Sequence, residues 1–432
     1  MRILFCCEFY APSVGGVQEV MRQVAERLVK AGHQVTVATS ALKARHFESL
    51  NGVQIKEFAV SGNLVRGIFG DDDSYRDYVI NGSFDVVMIK AAQQWTFDAL
   101  WPVLDDIRIP KVFIPCGFSG LFEPGYAEYF RAMPEILGKF NHLIFYASHY
   151  RDIDFARSHG LSNFSIIPNG ASEIEFGVTP DSTFRQRHKI ANNSFVFMTV
   201  GSFTGLKGHL ELVKAFSSMA IPEGNHATLI LNGNDALNAH GSGIRLVGQF
   251  YGIAKAFGWK YALKHGLKHG LWKIGIKVGK SKTPQEIAIK TNKRFRDRFV
   301  IVSNFARSEL VQAYMAADLF TFASNVEYSP LVLFEAAAAG TPFLTVDVGN
   351  SKEITAWTGA GIMCPSYKDE KGYTRVEEAV LANAMEQSML DKPKLAELGA
   401  IGRRSWEEKF TWGKISHQYE QIFTNLIKKD GN

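Results

Sequence analysis

Short apolar runs alternate, over the first 170 residues, with stretches in which apolar residues recur three and four positions apart. Arg2–Phe9, Gln34–Thr39, Val53–Phe58, Asp85–Ile89 and Lys111–Pro115 read as strands, and Gly16 to about Ala31 reads as a helix after the first of them. Parallel strands need crossover connections, so this alternation predicts a parallel sheet wrapped by helices. Phe164–Gly170 ends the half with a strand and a Pro-Asn-Gly turn, which puts a boundary at 171–190. The pattern then restarts, with strands at Phe195–Val200, Thr228–Leu231, Phe299–Val302 and Leu319–Phe322 and a helix from His209 to Met219. From about Arg403 to Lys428 a last helix carries Trp406, Phe410, Trp412, Ile415, Tyr419, Ile422 and Phe423 on one apolar face, suited to packing across the junction. The expected architecture is α/β. Two doubly wound Rossmann-like domains, 1–178 and 179–405, face a cleft, and a crossover helix at 406–432 returns to the first domain.

Composition agrees with a globular chain of 432 residues, 46% hydrophobic and 21% charged. Cys6, Cys7, Cys116 and Cys364 form no CxxC pair, so a metal centre and a disulfide framework are not expected and a reducing cytoplasm is. The apolar start at Ile3–Cys7 is too short for a leader peptide, and no window is long enough to span a bilayer. Charge changes the picture. Residues 237–298 hold fourteen Lys/Arg and two acids, a local +12 that leaves −7 elsewhere in a net charge of +5. We read this as a basic insert in the second domain. Within 251–298, Trp259, Leu263, Leu267, Leu271, Ile274 and Val278 recur at helical spacing beside lysines, a pattern that suits an anionic membrane surface rather than nucleic acid. A peripheral position on the inner face of a membrane follows, with a solvated loop as the alternative.

Candidate chemistry lies between Glu327 and Glu335. Ser329 can cap a helix, Pro330 suits its first turn, and Gly340 with Pro342 stops it, which predicts a helix over about 330–339. The free amides near Leu331 and Val332 would then point from the carboxyl edge of a sheet, where a diphosphate is stabilised without a metal. Glu335 can offer its carboxylate to a diol such as a ribose, while Glu327 lies in the preceding loop. Gly15 and Gly16 let backbone approach a ligand closely at the start of a helix, and Lys207, between Gly205 and Gly208, can neutralise a leaving diphosphate. The first turn is not G-x-G-x-x-G, which argues against a nicotinamide site.

The segment resembles the Glu-x7-Glu motif of retaining glycosyltransferases of the GT-B fold, sequence family 4. Pro12–Glu19 is similar to that family's glycine loop, Ala31–Val37 to its second-strand entry, Ile167–Gly170 to the end of its first domain, Val200–Gly208 to its phosphate-binding turn and Gly349–Ile354 to a later loop. The resemblance implies transfer of a sugar from a nucleoside diphosphate sugar, with retention, to a glycan or lipid-linked acceptor bound by the first domain, as in polysaccharide or glycolipid biosynthesis. It implies no cofactor and no metal. Glu327 and Lys207 would be the catalytic groups, and Gly15, Gly16, Lys207, Asn304, Phe305, Glu327, Leu331, Val332 and Glu335 would bind the donor, with Asn304 and Phe305 near the base. Two positions depart from the family. Ser202 stands where an arginine is usual, and Pro115-Cys116-Gly117 where His-Gly is common. Lys90, Cys116 and His149 are the acceptor-side candidates, with His142 a further substitute for the missing histidine. A nucleotide-sugar epimerase on the same fold and a catalytically weak membrane scaffold are the alternative functions.

Overall fold

The computed structural model describes residues 1–233 and 283–430. Ten strands belong to the first half: β1 Arg2–Cys6, β2 Gln34–Ser40, β3 Ser49–Leu50, β4 Val53–Phe58, β5 Ser61–Asn63, β6 Gly67–Phe69, β7 Val86–Lys90, β8 Lys111–Ile114, β9 His142–Phe145 and β10 Phe164–Ile166. Eight of them form one sheet in the order β10-β9-β8-β7-β1-β2-β4-β3, parallel except for the β3–β4 pair, and β5 and β6 form a separate hairpin. The second half supplies β11 Ser194–Val200, β12 His226–Asn232, β13 Arg298–Ser303, β14 Leu319–Phe322, β15 Phe343–Thr345 and β16 Gly361–Met363, in the all-parallel order β13-β12-β11-β14-β15-β16. The central strands are apolar on both faces, as a sheet covered on both sides requires: β7 is buried at all five positions and β14 at all four.

Each sheet reverses its winding at one point, between β1 and β7 in the first and between β11 and β14 in the second. Loops leaving the carboxyl ends of such neighbours diverge to opposite faces and open a crevice. In the first sheet the β1 loop carries Gly15 and Gly16, and β7 ends in Lys90. In the second the two loops are 201–208 and 323–330, which hold Lys207 and Glu327.

Three expectations change. The C-terminal segment is two helices, Lys392–Ser405 and Trp412–Asp430, separated by a π-helical turn at Trp406–Phe410. The break lies where the chain crosses between the sheets: the Phe410 carbonyl accepts the Ala171 amide, and the Ala171 carbonyl accepts the Trp412 amide. The second of these helices then packs on Gly16–Lys30, with Trp412, Ile415, Tyr419 and Phe423 buried in the first domain's core. Of the basic stretch 237–298, residues 237–282 lie outside the described residues, as does most of the 251–298 segment read as a membrane contact. Residues 283–298 belong to regular structure: Thr283 and Glu286 form a reciprocal capping box on the helix Pro284–Arg294, and Arg298 opens β13. Finally, the helix predicted over 330–339 spans Leu331–Ala338, and Ser329 does not cap it. Pro330 occupies the cap position at ψ 116°, a proline extends the residue before it, and the Ser329 carbonyl is taken by the Asn169 side chain at 3.0 Å. The Ser329 hydroxyl is buried without a partner among the described residues.

Candidate functional site

At the second switch point the Lys207 ammonium lies 2.6 Å from Glu327 Oε1, and the Ser324 hydroxyl donates to the same oxygen at 2.9 Å. Gly208 makes this approach possible. It sits at φ +72°, and a Cβ there would stand 2.0 Å from the Ala323 carbonyl oxygen, so the 201–208 and 323–330 loops touch backbone to backbone. Both are candidates from the sequence, and the structure brings them together as an ion pair. Four residues after Glu327 begins the Leu331–Ala338 helix, which has no side-chain cap; its Leu331 and Val332 amides have no partner among the described residues. Gly16 of the first domain faces this terminus, since a Cβ built on it would lie 3.9 Å from Leu331 Cδ1. The glycine loop and the helix N-terminus therefore form opposite walls of one crevice.

Glu335 is 8% exposed, deep in that helix. Its two oxygens are held separately, one by Arg307 at 2.7 Å and the other by the Tyr314 hydroxyl at 3.0 Å. Arg307 in turn reaches Glu175 at 2.8 Å. A carboxylate fixed by two donors from a neighbouring helix, Arg307–Ala316, presents its remaining lone pairs in a defined direction, as recognition of a diol needs. Sequence reading missed Arg307 and Tyr314 because nothing in their local pattern marks them; they matter only once the two helices are side by side. Asn304 and Phe305 directly follow β13. Asn304 is exposed, whereas the Phe305 ring packs on His188 at 4.9 Å and its amide donates to the Asn232 side chain. Ser202, at the position of the absent arginine, sits in the turn after β11.

The first domain meets this surface through the loop after β9. The Tyr150 hydroxyl donates to the Glu327 carbonyl at 2.7 Å, the Tyr328 hydroxyl accepts the Tyr146 amide at 3.1 Å, and the Asn350 side chain donates to the Tyr146 carbonyl at 2.9 Å. Glu353 accepts the amides of both Ser148 and His149, at 2.8 and 2.9 Å. The ring of Tyr328 enters a space kept open by Gly117, where a Cβ at φ +91° would stand 3.2 Å from it. Of these residues only Glu327 and His149 carry a role expected from sequence, and both enter the clamp through backbone groups; Tyr146, Tyr150, Tyr328, Asn350 and Glu353 carry none.

Of the acceptor-side candidates, Lys90 and Cys116 lie at the carboxyl edge beneath the cleft. Lys90 is fully buried, its amino group lacks a hydrogen-bond partner among the described residues, and the Tyr146 ring is 5.0 Å away. Burial drives its pKa down to about 8. Cys116 adopts φ +66°, and burial pushes its thiol up. Its neighbour Asp152 accepts the Gly117 amide at 2.7 Å, and burial raises that carboxyl to about 6. His149 is exposed: its backbone serves Glu353, and its ring stands 3.9 Å from Asp154. His142 is corrected. It opens β9, so it sits at the amino edge, opposite the cleft, bonded to Asn163 and Ser165. Among the described residues no three His, Cys, Asp or Glu side chains gather as a metal site, and no helix is long and apolar enough to cross a membrane.

Residues 274–398, which include the Glu327–Glu335 segment, match the model of the family described as glycosyl transferases group 1. Alpha-maltose-1-phosphate synthase of Mycolicibacterium smegmatis is 31% identical over 111 residues, 26% of this chain and 28% of that enzyme. The chain thus spans well under half the length of that curated relative. Over the whole length the likeness is one of fold. Sucrose-phosphate synthase from Thermosynechococcus elongatus superposes with a TM-score of 0.68 at 17% identity, covering 99% of both chains. Anabaena HepE, solved in complex with UDP and glucose, gives 0.64 at 16% identity, covering 98% of this chain and all of that one. The two facing Rossmann-like sheets are the GT-B fold.

Proposed function

We infer, from the premise that this chain belongs through its second domain to the glycosyl transferases group 1 family, that it moves a sugar from a nucleoside diphosphate sugar to an acceptor held by the first domain. The observation that carries the reading is the meeting of Lys207, Glu327 and an uncapped helix N-terminus at one switch point, opposite the glycine loop. A diphosphate entering there gains the Leu331 and Val332 amides and competes with Glu327 for the Lys207 ammonium. Once the ammonium turns to the phosphate, Glu327 is released to accept hydroxyls of the donor sugar. Negative charge develops on the departing diphosphate in the transition state, so a cation and a helix terminus aimed at it lower the barrier directly. Glu335, steadied by Arg307 and Tyr314, would take the ribose diol.

The neighbouring structure with UDP and glucose supports a uridine donor, and we propose UDP-glucose as the first to try. We further propose retention of configuration, a glycan or lipid-linked acceptor and a role in polysaccharide or glycolipid assembly. We assign the buried Lys90 and Asp152 and the half-buried Cys116 to the acceptor side. Incubating the protein with UDP-glucose and following UDP release and the anomeric proton by NMR tests the reading. Slow donor consumption with an α-anomer as first product is expected, and the Lys207→Ala variant should lose it. A β-anomer as first product would remove retention, and no turnover with any nucleotide sugar would remove the transferase itself.

A further inference from the structure

We propose that a groove beside the cleft, along one face of the helix Arg151–Ser158, binds the acceptor's aglycone, and that this aglycone is an apolar chain or ring carrying an anionic group. The role rests on the glycosyl-transfer reading above; the binding does not. Arg151, Asp154, Phe155 and Ser158 fall at i, i+3, i+4 and i+7, so they share one helix face. Leu121 and Phe122, from the loop after β8, form the facing wall, and the six residues bound a cavity of about 450 Å³. That volume is ordinary for a small-molecule site.

The lining selects the ligand. Phe122 is 79% exposed, and the Phe155 ring is fixed beneath by Phe118 at 5.4 Å and Phe130 at 6.0 Å, so the groove offers aromatic wall and floor to water. Asp154 is already met by Arg157 at 3.7 Å, and the Ser158 hydroxyl donates to the Phe155 carbonyl. Arg151 differs. Among the described residues no carboxylate lies within 4.0 Å of its guanidinium, which rests over the Tyr150 ring at 5.4 Å and donates to the Ser119 carbonyl at 3.4 Å. The groove therefore has apolar sides, one carboxylate, Asp154, already met by Arg157 and His149, and one cation with no carboxylate partner, which is complementary to an anion attached to an apolar body. That cation marks the inner end, since the adjacent Tyr150 donates to the Glu327 carbonyl in the cleft. An anion on Arg151 leaves the rest of the acceptor beside the donor sugar.

Octyl phosphate, kept below its micellar concentration and titrated into the full chain by calorimetry, is the probe. Saturable binding at least tenfold tighter than that of octanol or of inorganic phosphate is expected. Phe122→Ser and Arg151→Gln should each weaken it fivefold or more, Phe122→Trp should keep it, and UDP affinity should stay unchanged in all three. Both side chains are solvent-accessible, so unaltered melting temperatures are expected to accompany these effects. Octyl phosphate binding no tighter than that of either fragment, or binding unaltered in both variants, would overturn the proposal. So would capture by phosphatidylglycerol vesicles without binding of the monomer. Failure of the wild type to bind UDP while octyl phosphate binding follows the pattern would instead count against the transfer reading alone.

Discussion

Lys90 occupies an unusual place for a lysine, fully buried at the end of β7 with its amino group unpartnered among the described residues. Cys7 follows β1 beside it, because Cys6 pairs with Ile89, and both side chains face the core that the C-terminal helix covers. The folded amino group releases its proton near pH 8 and the unfolded one near 10.5, so between those values the unfolded chain binds more protons. Stability should therefore rise with pH across that window, by roughly 3 kcal/mol in total, and fall away again as pH drops toward 8. Lys90→Met should be more stable than the wild type at pH 7 and lack the rise. Chemical denaturation at pH 7, 8, 9 and 10 checks this, and parallel profiles for the two proteins would refute it. Lys207, Glu327 and Glu335 are marked in the sequence by charge set beside a glycine turn and around a punctuated helix start, and Lys90 only as a stand-in for the absent histidine. It did not mark Arg307 or Tyr314, whose only distinction is the oxygen each supports on another helix.

Loops and short helices decide how those groups meet. Gly208 is a point of close backbone approach, and Gly208→Ala should cost about 1–3 kcal/mol and part Lys207 from Glu327, because the added carbon would strike the Ala323 carbonyl. Gly205→Ala, three residues earlier at φ +83° with open space around it, should show the smaller backbone penalty and leave donor binding nearly intact. Thermal melts and UDP affinity for the pair separate contact from conformation. At this scale most of the longer strands, the helices Gly16–Lys30 and His209–Ser218 and the Leu331–Ala338 helix were legible, since periodicity and the Gly340 stop are local signals, whereas the strand His142–Phe145 and helices such as Arg151–Ser158 and Arg307–Ala316 were not. The cap was not. Ser329 has the right chemistry, but its position is set by Pro330 and by Asn169 from the first domain, and tertiary demand overrode local preference.

Across the whole molecule, closure depends on a few loop contacts and one returning helix. Tyr328, Asn350 and Glu353 clamp the 146–150 loop, while Arg27 meets Glu173 and His33 meets Glu420 on the outer side. Glu353→Ala leaves two backbone amides without their acceptor, and a loss of about 1–3 kcal/mol is expected. Small-angle scattering of that variant should show a larger radius of gyration, which UDP with acceptor should partly restore; an unchanged radius would mean the clamp does not set closure. Two facing domains and a helix crossing back could be read from the repeated strand pattern and the apolar face of Trp412–Phe423. The clamp could not, because its halves are far apart in the chain and each alone is an ordinary loop. Lys207, Glu335 and the Leu331–Ala338 terminus together are the proposed nucleotide site. Calorimetric titration of UDP tests it most directly. Saturable binding by the wild type, weakened about tenfold or more in Glu335→Ala and in Lys207→Ala but unchanged in His142→Ala, is the expected result. UDP affinity unchanged by Glu335→Ala, or equal loss in all three variants, would contradict it.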